Sequence, residues 1–297
     1  MVEKFRKLFY TLRYITLLQL FYQIWYRVKN RFISINWYNK YLSRKLISPV
    51  KLSVDVILQI KKKEYLLNNT FSFLNLNHTF EKQVDWNYNE FGKLWNYNLQ
   101  YFSFLLDEDI PLSERLHLLH DFSINLLENK VPLEPYPVSL RVINTLLFYN
   151  RHPILDEVML KALLMQVNYL ENNLEYHILA NHLLENAFAI FIAAIFIDDE
   201  YLLTKGEKLL KNQLKKQVLN DGAHYECSPM YQSILLSKLL HTIDISRSVA
   251  KVSKESVQFF EYYALQMLSW LNAYSFPDNS WALMNDSALE VAPTNQQ

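Results

Sequence analysis

Hydrophobic residues recur along most of this chain at three- and four-residue intervals, the spacing that lines one face of an α-helix. From Trp86 onward this rhythm predicts helices over 90–106, 112–129, 138–150, 154–173, 182–197, 199–218, 229–246 and 254–273. Short connections carrying Pro, Asp or Asn separate them, as at Asp109-Ile-Pro111, Pro132-Leu-Glu-Pro135-Tyr-Pro137, His152-Pro153 and Asp198-Asp199. Helices joined by such links pack as antiparallel neighbours. Two-residue alternation shows at one place only: Phe71 and Phe73, then Thr79-Phe80 beyond an Asn-rich turn, predict a small β-hairpin near residues 70–81. No solenoid period is present. The pattern specifies an all-α chain and fits an α/α toroid and a helical bundle equally.

Ahead of this region, residues 48–66 read as a helix with Pro49 near its start. The apolar run Tyr14–Tyr26 is too short to cross a bilayer and contains Gln19 and Gln23. Basic residues flank it and no small-residue cleavage site follows, so it reads as an amphipathic helix and no export signal is legible.

Composition narrows the function. With 51% hydrophobic residues in 297, a sizeable core is available and disorder is excluded as a general state. Three glycines cannot build a Rossmann or P-loop phosphate cradle. A single cysteine, Cys227, rules out an intrachain disulfide and a multi-cysteine zinc site. No metal, cofactor or nucleic-acid partner is expected. The formal charge is zero but uneven: residues 1–46 hold ten Lys or Arg against Glu3, so that segment carries +9 and the remainder −9. A boundary near 66 separates this basic segment, 1–66, from the helical domain, 67–297. The basic, aromatic helix could touch a membrane surface or an anionic polymer; a solvated helix face with an apolar stripe is the preferred reading.

Candidate chemistry gathers in 177–231. Asn181 suits an N-cap before a continuous apolar helix, and His182, Glu185 and Asn186 stand at i, i+3 and i+4 on one face. Buried there, they need partners or a ligand; a His–Glu pair inside a bundle is the equal alternative. The spacing is not that of a zinc helix. In the second cluster, Asp221-Gly222 signals a turn, Ser228 an N-cap, and Pro229 the first helical position. Tyr231 then falls in the first turn, where the helix dipole would lower its pKa and suit it to general acid or base work. Simple packing at a helix start is the other reading. Trp86-Asn87-Tyr88 and Trp95-Asn96-Tyr97-Asn98 offer stacking faces and amides that suit sugars, or ordinary core aromatics. Arg141 and Asn144 share a helix face after Tyr136, and Arg141 could grip a carboxylate or sulfate, or form a structural salt bridge.

These residues resemble the N-terminal helical domain of the heparinase II/III family of polysaccharide lyases. The matching stretches are Phe71-Ser-Phe-Leu-Asn75, Asp85-Trp86-Asn87, Leu94-Trp95-Asn96-Tyr97-Asn98-Leu99 and Tyr136-Pro-Val-Ser-Leu-Arg141-Val-Ile-Asn144. Asn181-His182-Leu-Leu-Glu185-Asn186, Asp221-Gly222 through Glu226-Cys-Ser228-Pro229-Met-Tyr231, and Asn285-Asp286-Ser287 follow in family order. The resemblance implies an incomplete (α/α) toroid and β-elimination on a uronic-acid polysaccharide such as a glycosaminoglycan or alginate. It implies that Asn181 or His182 neutralises the uronate carboxylate or assists proton transfer, with Glu185 orienting it, and that Tyr231 is the base, the acid, or both. Trp95, Asn98, Tyr136, Arg141, Asn144, His224 and Glu226 would be substrate-side contacts. It also implies a bacterial, periplasmic setting.

Full-length members continue into an antiparallel β-sandwich that carries a further catalytic histidine and sometimes a zinc. No strand pattern for that domain precedes Gln297. The expectation is therefore a truncated or split lyase, its toroid inactive without the β-domain or completed by a separate β-domain chain, or else a non-catalytic carbohydrate-binding or polysaccharide-assembly module. A purely helical interaction scaffold is the third reading.

Overall fold

Short polar side chains set where most helices begin. In the computed structural model, Asp156 accepts from the Met159 N–H, Asp199 from Leu202, Ser228 from Tyr231 and Ser253 from Ser256, each closing a first turn. The structure describes residues 6, 15–33, 37–38, 45–50, 52, 64–288 and 291–293. Among them are nine α-helices: α1 Leu17–Phe32, α2 Lys93–Tyr101, α3 Leu112–Leu127, α4 Pro135–Arg151, α5 Glu157–Asn172, α6 Ala180–Phe196, α7 Glu200–Gln217, α8 Pro229–Arg247 and α9 Lys254–Ala273. Strands β1, Thr70–Phe73, and β2, Leu76–Thr79, pair antiparallel with Phe73 opposite Leu76. Leu74 and Asn75 at the tip both hold positive φ, as a two-residue hairpin turn requires.

The helices from α2 onward form the two layers of an incomplete (α/α) toroid. α2, α4, α6 and α8 pack on one another in sequence; α3 packs on α5 and α7 on α9, and hairpin partners α4–α5, α6–α7 and α8–α9 join the layers. The first layer is the buried one. Every residue of α6 from Leu183 to Phe196 is buried, which explains why that helix is apolar all round. Gly206 in α7 permits the close α6–α7 approach, because a Cβ there would sit 2.9 Å from the Phe191 backbone. Since the intervening helices return the chain, α4, α6 and α8 run parallel. Their N-termini therefore gather at one end of the array, and that end carries the polar clusters.

Beyond shifts of up to three residues at other helix ends, two elements differ from the sequence pattern. The helix expected over 90–106 ends at Tyr101, where Phe102 turns left-handed (φ 63°) and a 3₁₀ turn, Ser103–Leu106, follows. The helix expected over 48–66 lies largely outside the described residues; its described ends, 48–50 and 64–66, are not helical. Much of the basic 1–66 segment likewise lies outside them.

α1 leans on the loop between α5 and α6. Tyr22 stacks on Tyr176 with ring centroids 4.7 Å apart, Tyr26 donates to the Leu174 carbonyl, and Lys29 donates to Asn173 Oδ1 at 2.7 Å. Burial pushes the Lys29 ammonium down to about 8. No described helix is long and apolar enough to cross a membrane.

Candidate functional site

The loop that α1 supports delivers the first element of the site, Glu175. Its backbone N–H donates to Asn186 Oδ1 at 2.7 Å, and its Oε2 accepts from Asn186 Nδ2 at 3.0 Å. Asn186 also reaches Ser139 Oγ at 3.0 Å, so α4, α6 and the loop are locked together. Glu175 Oε1 lies 3.0 Å from His182 Nδ1. With Nδ1–H donating to that carboxylate, the lone pair of His182 is on Nε2, and Nε2 has no partner among the described residues. The His182 ring packs on Tyr136 from the start of α4, centroids 4.3 Å apart.

α6 itself starts in an unusual way. Asn181 is not the N-cap; Leu179 holds that place with φ 68°, and Ala180 follows at φ 53°. Two consecutive left-handed non-glycine residues are costly, and such strain collects at working sites. Distant groups hold it: Gln217 Nε2 donates to the Ala180 carbonyl at 2.9 Å, and Glu226 Oε1 accepts from the Asn181 N–H at 3.4 Å, capping the helix from another loop. The side-chain amide of Asn181 is thereby left without a partner among the described residues.

Tyr231 arrives as the pattern predicts, in the first turn of α8 behind Ser228 and Pro229. Its hydroxyl takes no hydrogen bond from the described residues. The expected dipole effect on its acidity does not prevail. Burial raises the Tyr231 pKa, and Glu226 and Asp286 raise it further, because a phenolate would be desolvated beside two carboxylates. Tyr231 is therefore a neutral hydroxyl, an acid rather than a ready base. Asn285 and Ser287 pin this loop: Asn285 Nδ2 donates to the carbonyls of Glu226 and Cys227 at 3.0 and 2.9 Å, and Ser287 Oγ lies 2.9 Å from Ser228 Oγ.

The two clusters are joined through Glu226, whose Oε1 accepts from the Asn181 N–H. Burial first, then Glu185, Tyr101, Tyr231 and Glu175, push the Tyr136 hydroxyl well above its ordinary value, so these groups lie within electrostatic reach of one another. Glu226, raised chiefly by burial, feels both the Asn181 N–H and His182 on one side and Asp286 on the other. Glu185 is fully buried; its Oε1 pairs with Lys238 Nζ, and its Oε2 has no hydrogen-bond partner among the described residues. Burial raises the Glu185 pKa against the opposing pull of Lys238. Lys238 stands two turns after Tyr231 on the same face of α8. Thus Glu175, rather than Glu185, is the hydrogen-bond partner of His182, and Glu185 is paired with Lys238. The sequence reading passes over both Glu175 and Lys238; the i, i+7 spacing of Tyr231 and Lys238 was the available signal for the second.

Five expected substrate contacts are bonded to protein groups instead. Trp95 is buried and donates to the Leu76 carbonyl at 3.1 Å. Arg141 is buried with its guanidinium 4.4 Å over the Phe122 ring and donates to Gln166 Oε1 and the Gln100 carbonyl, so it is a core residue with no carboxylate partner shown. Asn144 donates to the Tyr101 carbonyl at 2.8 Å. His224 is buried behind the start of α6; its Nε2 reaches Gln217 Oε1 at 2.8 Å, and burial pushes its pKa down to about 4, leaving it neutral. It therefore supports Gln217, which supports Ala180. Asn98 is half-buried and turned back on its own helix, donating to the Leu94 carbonyl. Tyr136 and Glu226 do meet the start of α6, through His182 and the Asn181 N–H. Among the described residues no group of three or more His, Cys, Asp or Glu side chains is placed to share a metal ion.

Comparison with known proteins bears on this arrangement. Residues 143–295, more than half of the chain, match the family described as heparinase II/III N-terminus. The matched span takes in the Asn181, Tyr231 and Asn285 clusters, whereas the stretches at 71–75, 85–87 and 94–99 precede it. Among solved structures, heparinase III is similar with a TM-score of 0.51 at 15% identity, over 89% of this chain and 47% of that one. The heparan sulfate lyase HepC from Pedobacter heparinus gives a TM-score of 0.49 at 19% identity, over 93% and 46%. The chain thus spans just under half the length of these structures, and the likeness concerns the fold. Curated protein sequences give no match.

Proposed function

The chain belongs to the heparinase II/III N-terminal family, and on that premise we propose that it is the helical domain of a lyase that cleaves uronic-acid polysaccharide by β-elimination. One observation supports the reading: Glu226, on the loop before α8, accepts from the Asn181 N–H at the start of α6, which ties the starts of the two helices together, and among the described residues the Asn181 amide, His182 Nε2 and the Tyr231 hydroxyl have no hydrogen-bond partner.

The chemistry asks for this set. The C5 proton of a uronate is weakly acidic because the adjacent carboxylate is already negative, so that charge must be met before the proton can leave. The Asn181 amide and the positive ends of α4, α6 and α8 meet it. His182 Nε2 takes the proton, and Glu175, facing Nδ1–H, stabilises the imidazolium that results. Tyr231 gives its proton to the leaving glycosidic oxygen as the C4–O bond breaks and the C4–C5 double bond forms. Its raised pKa suits this step, since the hydroxyl is protonated when needed.

Charge also shapes the substrate. Among the described residues Glu175, Glu185 and Glu226 all act on His182, and Lys238 is already paired with Glu185, which disfavours a densely sulfated chain. A polymer bearing isolated carboxylates fits better. The test is the ultraviolet absorbance of newly formed unsaturated uronates, measured alongside oligosaccharide binding, with an unsulfated glucuronate polymer, heparan sulfate and alginate. We expect turnover to be fastest on the unsulfated glucuronate polymer. Binding without any absorbance, in the chain extended with a β-domain of the family, would overturn the lyase reading in favour of a carbohydrate-binding module, and the absence of both would overturn the carbohydrate reading altogether.

A further inference from the structure

α1 is inverted relative to an ordinary surface helix. Its polar and aromatic edge, with Gln19, Tyr22, Tyr26 and Lys29, faces the protein and is tied to the loop before α6. Its apolar stripe faces outward. Leu17, Phe21, Ile24, Trp25, Val28 and Phe32 recur at helical spacing and are all exposed, with Leu17 at 86%, Phe21 at 60% and Phe32 at 80%. Folding normally buries such a stripe, and a contiguous exposed one marks an interaction surface.

Charge decides between occupants. Arg27 and Arg31 are exposed along one flank of the stripe, and α1 contains no acidic residue. They belong to a segment with ten cations and one acid in its first 46 residues. A second copy of this face would set arginine against arginine. An anionic polysaccharide would use the arginines but leave the six apolar side chains in water. An anionic bilayer uses both: acyl chains receive the stripe, headgroup phosphates receive the arginines, and an indole such as Trp25 is at home in the interfacial layer. We propose that the outer face of α1 docks the protein, lying flat, on an anionic lipid surface.

The test is co-flotation of the full chain with phosphatidylcholine vesicles containing phosphatidylglycerol, and with pure phosphatidylcholine vesicles. The chain should float with the anionic vesicles at least about tenfold better than with the neutral ones. The double variant Ile24→Glu/Val28→Glu, altered only at exposed positions, should keep its circular dichroism and lose flotation. Brominated acyl chains should quench the fluorescence of the wild-type chain, and Trp25→Phe should lose that quenching while still floating. Failure to float with anionic vesicles would overturn the proposal, as would equal flotation of the double variant. A concentration-dependent dimer, formed without lipid and abolished by the double variant, would assign the face to a second copy instead.

Discussion

Tyr231→Phe is expected to lower polysaccharide cleavage about 1000-fold in kcat/KM while leaving the fold intact. That factor corresponds to about 4 kcal/mol of lost transition-state stabilisation. The ring remains to pack at the start of α8, and the missing hydroxyl has no partner among the described residues, so stability has little to lose. Only the proton delivered to the leaving oxygen disappears. Binding of an uncleaved oligosaccharide should therefore change far less than turnover. A drop smaller than tenfold would remove Tyr231 from the chemistry and leave it as a packing residue.

Lys238→Met should be the most damaging single change for stability near the site. It strands the Glu185 carboxylate, which is fully buried and has no other hydrogen-bond partner among the described residues. Breaking a buried ion pair from one side costs about 3–5 kcal/mol, whereas replacing both partners by neutral groups costs much less. Lys238→Met/Glu185→Gln should accordingly recover most of the loss. The pH dependence has a definite sign. A carboxyl whose folded pKa is raised binds its proton more tightly when folded than when unfolded, so the folded state gains stability as pH falls and loses it as pH rises through the folded pKa. Without Lys238 the Glu185 pKa rises further, and denaturant unfolding of the single variant should show partial recovery on acidifying from about pH 8 to about pH 5. The double variant should lack this recovery. Equal stabilities for the single and double variants would show that the pair is not the buried contact described above.

Much of the scaffold was legible in the sequence because it depends on local signals. Pro and short polar side chains mark helix starts, and the 229–246 and 254–273 helices fall within one residue of Pro229–Arg247 and Lys254–Ala273. The hairpin at 70–79 follows from alternation and a short turn. Where long-range contacts decide, the pattern is silent. Asn181 has the chemistry of a cap, but Glu226, forty-five residues later, does the capping, and Leu179 and Ala180 adopt a backbone that no local residue choice announces. Phe102 ends α2 in the left-handed region without a glycine to signal it. Trp95 and Arg141 have the composition of sugar-binding residues and are instead core, because a stacking ring or a guanidinium serves an aromatic interior equally well. Glu175 lies in a loop whose position is fixed by Asn186, so its meeting with His182 is a tertiary fact. The dipole argument for Tyr231 was sound in direction but lost to burial and to Glu226 and Asp286.

The gathering of parallel helix starts puts the polar groups of an otherwise apolar array at one end, where the proposed chemistry would take place. It also makes the central claim open to direct inspection. A crystal structure of the chain with a uronate-containing oligosaccharide should place one uronate between α6 and α8, its carboxylate against Asn181, its C5 beside His182 Nε2, and the glycosidic oxygen within about 3 Å of the Tyr231 hydroxyl. An oligosaccharide bound at another surface, with His182 and Tyr231 untouched, would contradict the account.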